Sequence, residues 1–259
     1  MFMKRLSFLF HAAVLAGAGT FGCSSTPTER IGIIGAMEPE VASLKKASTI
    51  HRSSKIAAME FVECNLKGHE AVVVQCGMGK VNAGICAHTL INVFHCTKII
   101  NTGVAGSLDA KMDVGDFVVS TEAVQHDYDV TPIGFKKGEI PYTGLVAFKA
   151  DEGLREMAVS AIRHVKPEAD VFEGRVCSGD QFINTVEQKD AIVESFGGLC
   201  CEMEGGAIAQ ACHLNDTPFV IVRCISDKPD GSAIVDFEEF SKEAAEVCAK
   251  AVQDMIEKL

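Results

Sequence analysis

The chain has 259 residues, 47% of them hydrophobic and 23% charged, the balance of a folded globular protein long enough to bury one large core. Its 24 basic residues face 35 acidic ones, a formal net charge of −11 that repels phosphate backbones and anionic membrane surfaces and leaves nucleic acid out as an expected partner. With no Trp, and Tyr only at 128 and 142, few rings remain to stack single strands, so the expected ligand is a small molecule.

Lys4 and Arg5 precede a mostly apolar run over residues 6–21, followed by Gly22-Cys23-Ser24-Ser25. A short basic segment, an apolar stretch short for a membrane span and then small residues read as an export signal over residues 1–22. Gly22-Cys23 with two serines behind it resembles a bacterial lipoprotein cleavage site, in which Cys23 becomes the lipidated N-terminus. Residues 23–30 are then a short tether and residues 31–259 one domain, undivided by any Pro-, Ser- or charge-rich linker. The expected location is outside the cytoplasm, on a membrane through the lipid; a cytoplasmic protein is the alternative. Ten further cysteines form no CxxC pair and mostly sit inside apolar runs. That is buried-thiol usage, which suits a reducing compartment and pulls against the leader.

Residues 31–35 are a short apolar run ended by glycine, a buried strand, and residues 39–47 have helical spacing. Residues 61–66 and 70–76, joined by Lys67-Gly68-His69, predict a hairpin. A long helix follows over 81–94, then strands over 98–102 and 117–120. The second half alternates again: helix 154–164, strand 171–177, helix 185–196, strand 199–203, helix 204–214, strand 219–225 and helix 237–258. The alternation predicts a three-layer α/β/α single domain with a mostly parallel, mixed central sheet. In such folds the ligand lies at the carboxyl ends of the strands.

Gly77-Met78-Gly79-Lys80-Val81 is not a phosphate loop, because no glycine stands five residues before Gly79 and Val81 replaces the Ser or Thr that would hold magnesium. Asn82 stands where a dinucleotide fingerprint would need its third glycine. The segment reads as a tight strand-to-helix turn whose glycines let backbone approach a ligand. The eight histidines show no HExxH or i, i+4 pairing, so no metal site is expected, and His126-Asp127-Tyr128-Asp129 reads as a hydrogen-bonded loop. What remains is carboxylates at strand ends: Glu38 and Glu40, Glu202 and Glu204 around Met203, and Asp227. Singly, Glu40 and Glu204 could oppose a helix dipole, and residues 226–231 could be only a turn. Acids at three strand ends of one sheet point instead to a common site.

Six motifs occur in order: GIIGAMEPE (32–40), GMGKV (77–81), NTGVAG (101–106), SGDQFIN (178–184), EMEG (202–205) and VRCISD (222–227). Together they resemble the 5′-methylthioadenosine/S-adenosylhomocysteine nucleosidases, from residue 31 almost to the C-terminus. The resemblance implies a nucleoside phosphorylase-like fold and hydrolysis of an N-glycosidic bond to adenine and an alkylthioribose, with no cofactor or metal. It implies that Asp227 donates a proton to adenine N7, that Glu40 is the general base for water and that Arg223 helps fix that water. Glu204 bonds the ribose hydroxyls, kept charged by its place in a first helical turn, and Met203 packs under the sugar. Phe182 stacks on adenine, whose edge is read by the backbone of Ile183 and the Ser226 region. Met78 and Phe237 line the alkylthio pocket; Val104, a Ser in some members, and Gly106 complete the binding set. A homodimer would supply Ile133, Phe135 and Pro141 to the partner's 5′ pocket. Gly205-Gly206 opens a helix where Ala is commoner, which is expected to loosen it. Two alternatives stay open: a purine nucleoside phosphorylase, although residues 36–40 supply acids where phosphate needs a basic pocket, and a surface-exposed binding protein on the same fold.

Overall fold

The structure, a computed structural model, describes residues 29–228 and 233–259. The leader and Cys23, most of the tether, and the residues after Lys228 in the expected turn lie outside the described residues. In chain order the elements are β1 (Arg30–Gly35), α1 (Glu38–Ala47), β2 (Thr49–Ile56), β3 (Met59–Leu66), β4 (His69–Gln75), α2 (Lys80–Asn92), β5 (Lys98–Ser107), β6 (Phe117–Gln125), β7 (Ala147–Lys149), α3 (Glu152–Val165), β8 (Val171–Ser178), α4 (Val186–Phe196), β9 (Cys200–Glu202), α5 (Gly205–Leu214), β10 (Phe219–Asp227) and α6 (Ala233–Glu257).

β1 lies between β4 and β5, parallel to both, and is covered on both faces. That is why it reads as an unbroken Ile-Gly-Ile-Ile run and not as an alternation. α1, α3 and α6 pack a first apolar layer against one face, and α2 and α5 a second against the other. The sheet is mixed, as expected, and its second half closes on itself. β5 pairs β10, β10 pairs β6, β6 pairs β8, β8 pairs β9, and β9 returns antiparallel to β5. The other half is an open extension, β1-β4-β3-β2, ending in the antiparallel hairpin that was expected and a further edge strand.

Helix ends follow their local chemistry. Asp151 accepts from the Leu154 N–H at 2.9 Å to start α3, and Thr185 with Gln188 forms a capping box at α4, which stops at Gly197 in the left-handed region. α5 opens on Gly205 and Gly206, where there is no room for a side chain. A Cβ on Gly205 would meet Ile221 at 2.6 Å, and one on Gly206 the Val124 carbonyl at 2.9 Å. Glycine lets the helix start sit directly on β10 and β6.

All ten described cysteines are buried and free, as their apolar settings suggested. They fill core space and, among the described residues, staple nothing.

Candidate active site

The carboxyl ends of β1, β5, β8, β9 and β10 converge, and each brings one part of a shared pocket. At the end of β1 the chain turns straight into α1, where Glu40 reaches back over the turn. Its Oε2 accepts the N–H groups of Ala36 and Met37 at 2.6 and 2.8 Å, and its Oε1 accepts that of Val104 on β5 at 3.1 Å. The side chain thus closes the first turn of α1 and ties it to a neighbouring strand. Burial pushes its carboxyl above the ordinary range, against the pull of Arg223 and the three N–H groups.

β5 runs on to Ser107, so the NTGVAG motif is strand and not loop. It carries two glycines whose missing Cβ atoms make room for charge. A Cβ on Gly103 would collide with both Arg223 Nη1 and Glu40 Oε1, and one on Gly106 would stand 2.9 Å from Asp227 Oδ2.

Arg223 on β10 is buried among three carboxylates. Its Nη2 donates to Asn101 Oδ1 at 2.7 Å and to the Glu202 carboxylate, and lies 3.7 Å from Glu204 Oε2. Desolvation alone would lower its pKa; Glu202, Glu204 and Glu40 outweigh that and hold it up. Glu202 in turn accepts from Ser178 Oγ and from the Glu204 and Gly205 N–H groups, the last two at 3.1 and 2.8 Å. It therefore satisfies the open N-terminus of α5 as well as the guanidinium.

Glu204 is the residue preceding α5 and not in its first turn, and its side chain caps nothing there. Oε1 instead accepts the Gly79 N–H at 2.9 Å from the loop before α2. The expectation of a firmly charged carboxylate is corrected: burial, then the neighbouring Glu202, push it up to about 7 against Arg223 and the Gly79 N–H. Desolvation and a like charge outweigh the helix end because its amides are already taken by Glu202.

Asp227 ends β10 just past a register shift between Ile225 and Asp227, where Asp227 pairs with Gly106. Such a bulge re-aims a side chain. Ser226 donates from Oγ to Asp227 Oδ1 at 2.6 Å. Burial pushes Asp227 up to about 6, against that hydrogen bond and with some help from Asp236.

Several of these groups line an open cleft with about 570 Å³ of free space, solvent at its mouth included. Glu40, Glu204, Asp227, Met78, Val104, Gly106, Phe182, Ile183, Met203 and Phe237, all singled out from the sequence, border it. Phe182 and Phe237 meet edge to face, centroids 5.5 Å apart, and Phe182 and Met78 stay exposed at the mouth. Arg223 lies beneath the acids, and Ser226 stands behind Asp227; neither borders the cleft. Ile133, Phe135 and Pro141 are on the segment between β6 and β7 and do not line it; Ile133 is 71% exposed. The sequence singles out Glu202 as a strand-end acid without a specific role, and it singles out neither Ser178 nor Asn101. Each lies inside a motif quoted above, and the Glu-x-Glu spacing at 202 and 204 was the available signal.

A closed ring of strands with acids at its carboxyl ends defines a protein of the Phosphorylase superfamily, whose sequence model matches residues 30–257. The chain is 41% identical over 230 residues to the 5′-methylthioadenosine/S-adenosylhomocysteine nucleosidase of Staphylococcus haemolyticus, a match covering 88% of this chain and 100% of the relative. The crystal structure of the nucleosidase of that name from Neisseria meningitidis, in complex with methylthio-immucillin-A, superposes with a TM-score of 0.85 at 37% identity, covering 89% of this chain and 100% of that one. The corresponding enzyme of Colwellia psychrerythraea, in complex with adenine, gives the same TM-score and identity over 90% and 96%. The chain belongs to the 5′-methylthioadenosine/S-adenosylhomocysteine nucleosidase family and is a nucleosidase, a hydrolase of N-glycosidic bonds.

Proposed function

We propose that the protein hydrolyses 5′-methylthioadenosine, S-adenosylhomocysteine and related 5′-deoxyadenosines to adenine and the (alkylthio)ribose, with Asp227 as acid and Glu40 as base. The observation that carries this reading is the presence of two buried carboxyls, Asp227 and Glu40, on the lining of one cleft. Burial raises Asp227 to about 6, so a fraction of it keeps a transferable proton near neutrality, and its hydrogen bond from Ser226 fixes the carboxyl while Oδ2 faces Gly106. Protonation at adenine N7 turns a poor leaving group into a good one. As the bond breaks, positive charge grows on the ribose, and the oxygens of the buried Glu40 and Glu204, which border the cleft, face it.

Glu40 takes the proton from water arriving opposite the base. Its oxygens are held by three N–H groups, which fixes their position, and burial makes it a stronger base than a free carboxylate. Arg223 keeps Glu202 and Glu204 in register. Glu204 meets the ribose hydroxyls, where a group near 7 can accept or donate. Phe182 stacks on adenine, and Met78, Met203 and Phe237 enclose the sugar and its 5′ substituent. The active unit is a homodimer whose β6–β7 segment brings Ile133, Phe135 and Pro141 to the partner's cleft; the exposure of Ile133 and Tyr142 on that segment supports this.

Acids, not cations, border the cleft, which favours water over phosphate as the attacking group. The test is adenine release from each nucleoside with and without phosphate. Equal rates and free thioribose are expected, and a ribose 1-phosphate product would refute the reading.

A further inference from the structure

Two residues of the quoted sequence segments have no place in the chemistry above: Lys80, at the end of the Gly77–Lys80 turn, and Asp127, in the His126–Asp129 loop. The structure joins them. Asp127 accepts Lys80 Nζ on Oδ1 at 2.5 Å and the Asp180 N–H on Oδ2 at 2.9 Å. Asp180 Oδ1 accepts the Lys80 N–H at 2.8 Å, and Lys80 Nζ also reaches Gln125 Oε1 at 3.2 Å. One carboxylate therefore bridges the turn that carries Met78 and the loop that carries Gln181, Phe182 and Ile183. The Lys80 and Asp127 side chains are only 16% and 21% exposed, so the pair is shielded from much of the solvent. Desolvation pushes Asp127 upward, but the Lys80 ammonium and the Asp180 N–H outweigh it and hold it below the ordinary carboxylate range.

The geometry of the turn requires such an anchor. Gly77 and Gly79 both adopt positive φ, at 82° and 97°, which leaves the turn few intrinsic preferences. A Cβ on Gly79 would stand 3.1 Å from Asp180 Oδ1, so the two loops touch at backbone distance. On the pocket side the same turn is held by the Gly79 N–H on Glu204. The C-terminal end of the turn is thus pinned from two sides, by Glu204 within the cleft and by Asp127 and Asp180 outside it, while the Gly77 N–H holds the other end to the Ala36 carbonyl.

We propose that Lys80, Asp127 and Asp180 form a latch fixing the Met78 and Phe182 loops at a set spacing across the mouth of the cleft, with Asp127 as its central positioning residue. Asp127 touches no reacting atom. It acts by holding the two surfaces between which the nucleoside's base and 5′ group are gripped, and in this it rests on the reading given under Proposed function. Asp127 also sits at the root of the β6–β7 segment, so the latch ties that segment to both loops.

The test is steady-state hydrolysis of 5′-methylthioadenosine by the full chain, comparing Asp127→Asn, Lys80→Met and the double variant, each with a thermal melt. Removing a charge-assisted hydrogen bond that orders a binding surface should raise KM roughly tenfold while kcat stays within about threefold, since the loss falls on ground-state and transition-state binding alike. The double variant should be no worse than the poorer single one, because both remove the same link. Unchanged KM in well-folded variants overturns the latch. So does additive loss in the double variant, or a fall in kcat matching the rise in KM. A wild-type chain that neither binds nor cleaves the nucleoside overturns the reading of the site itself, and the latch with it.

Discussion

Replacing Asp227 by Asn separates catalysis from stability, and the structure sets the direction of each effect. The amide keeps the size of the carboxyl and can still accept the Ser226 hydroxyl, whose oxygen lies 2.6 Å from Oδ1, so the adenine end of the cleft should survive. It cannot deliver an acidic proton. General acid catalysis contributes about 10²–10⁴-fold, so kcat should fall by that order while KM moves little. Stability should move the other way. Asp227 is 3% exposed, and burial raises it from 3.8 to about 6. A carboxyl raised in the folded state binds protons more tightly there than in the unfolded chain. Its ionisation therefore costs stability progressively as pH rises from about 4 to 6, and fully above that. Two pKa units at about 1.4 kcal/mol each make the cost roughly 3 kcal/mol at pH 8. Asp227→Asn removes it, so the variant should melt higher than wild type at pH 8 and show no such gain at pH 4. In wild type, kcat/KM should decline above about pH 6 as the free enzyme loses this proton, and the variant should lack that limb. Calorimetry at both pH values beside kinetics across pH 4–9 reads all three. Near-normal kcat in a folded variant, or a lower melting temperature at pH 8, would refute the reasoning.

Gly103→Ala should cost about 1–3 kcal/mol in a melt and remove most activity, since its Cβ collides with Arg223 and Glu40; a fully active variant would show that the two can part freely. Glu202→Gln should destabilise the fold by about 3 kcal/mol, because Arg223 loses a buried counter-charge, and should lower the pH at which Glu204 ionises from about 7. The pH profile of kcat/KM checks the second half. Phe135→Asp should disrupt the proposed dimer, read by sedimentation. Cys23→Ala should move the protein from the detergent phase to the aqueous one, and an intact Met1 by mass would sink the leader reading.

The strands that proved legible were those buried on both faces, such as β1 and β10, where apolar residues run on without interruption. β2 escaped notice because its residues, Thr-Ile-His-Arg-Ser-Ser-Lys-Ile, lie on an outer edge and none of its eight positions is buried, so no hydrophobic period marks it. β7 is three residues long, too short for any period. The expected strand over 98–102 stops short of the far half of β5 because Gly103 and Gly106 punctuate it; those glycines make room for Arg223, Glu40 and Asp227 on neighbouring elements, which no local pattern contains. The acids themselves were found because they sit at strand ends inside quotable motifs. Their protonation was not, since Glu204 owes its position near 7 to burial and to Glu202 two residues away in sequence but set by the fold.

The ring formed by β5, β10, β6, β8 and β9 bears on how the protein breathes. β5, β6 and β10 each have partners on both sides, so their amides should exchange hydrogen mainly through global opening, whereas the first half of β8 is paired to β6 alone and should open sooner. β2, paired on one side only, can fray at far lower cost. Asp227 is therefore mounted on the slowest-exchanging part of the molecule, and Glu40 reaches it from α1 through the Val104 N–H. The turn and loop that close over them hang from its rim, where substrate can enter without loosening the frame.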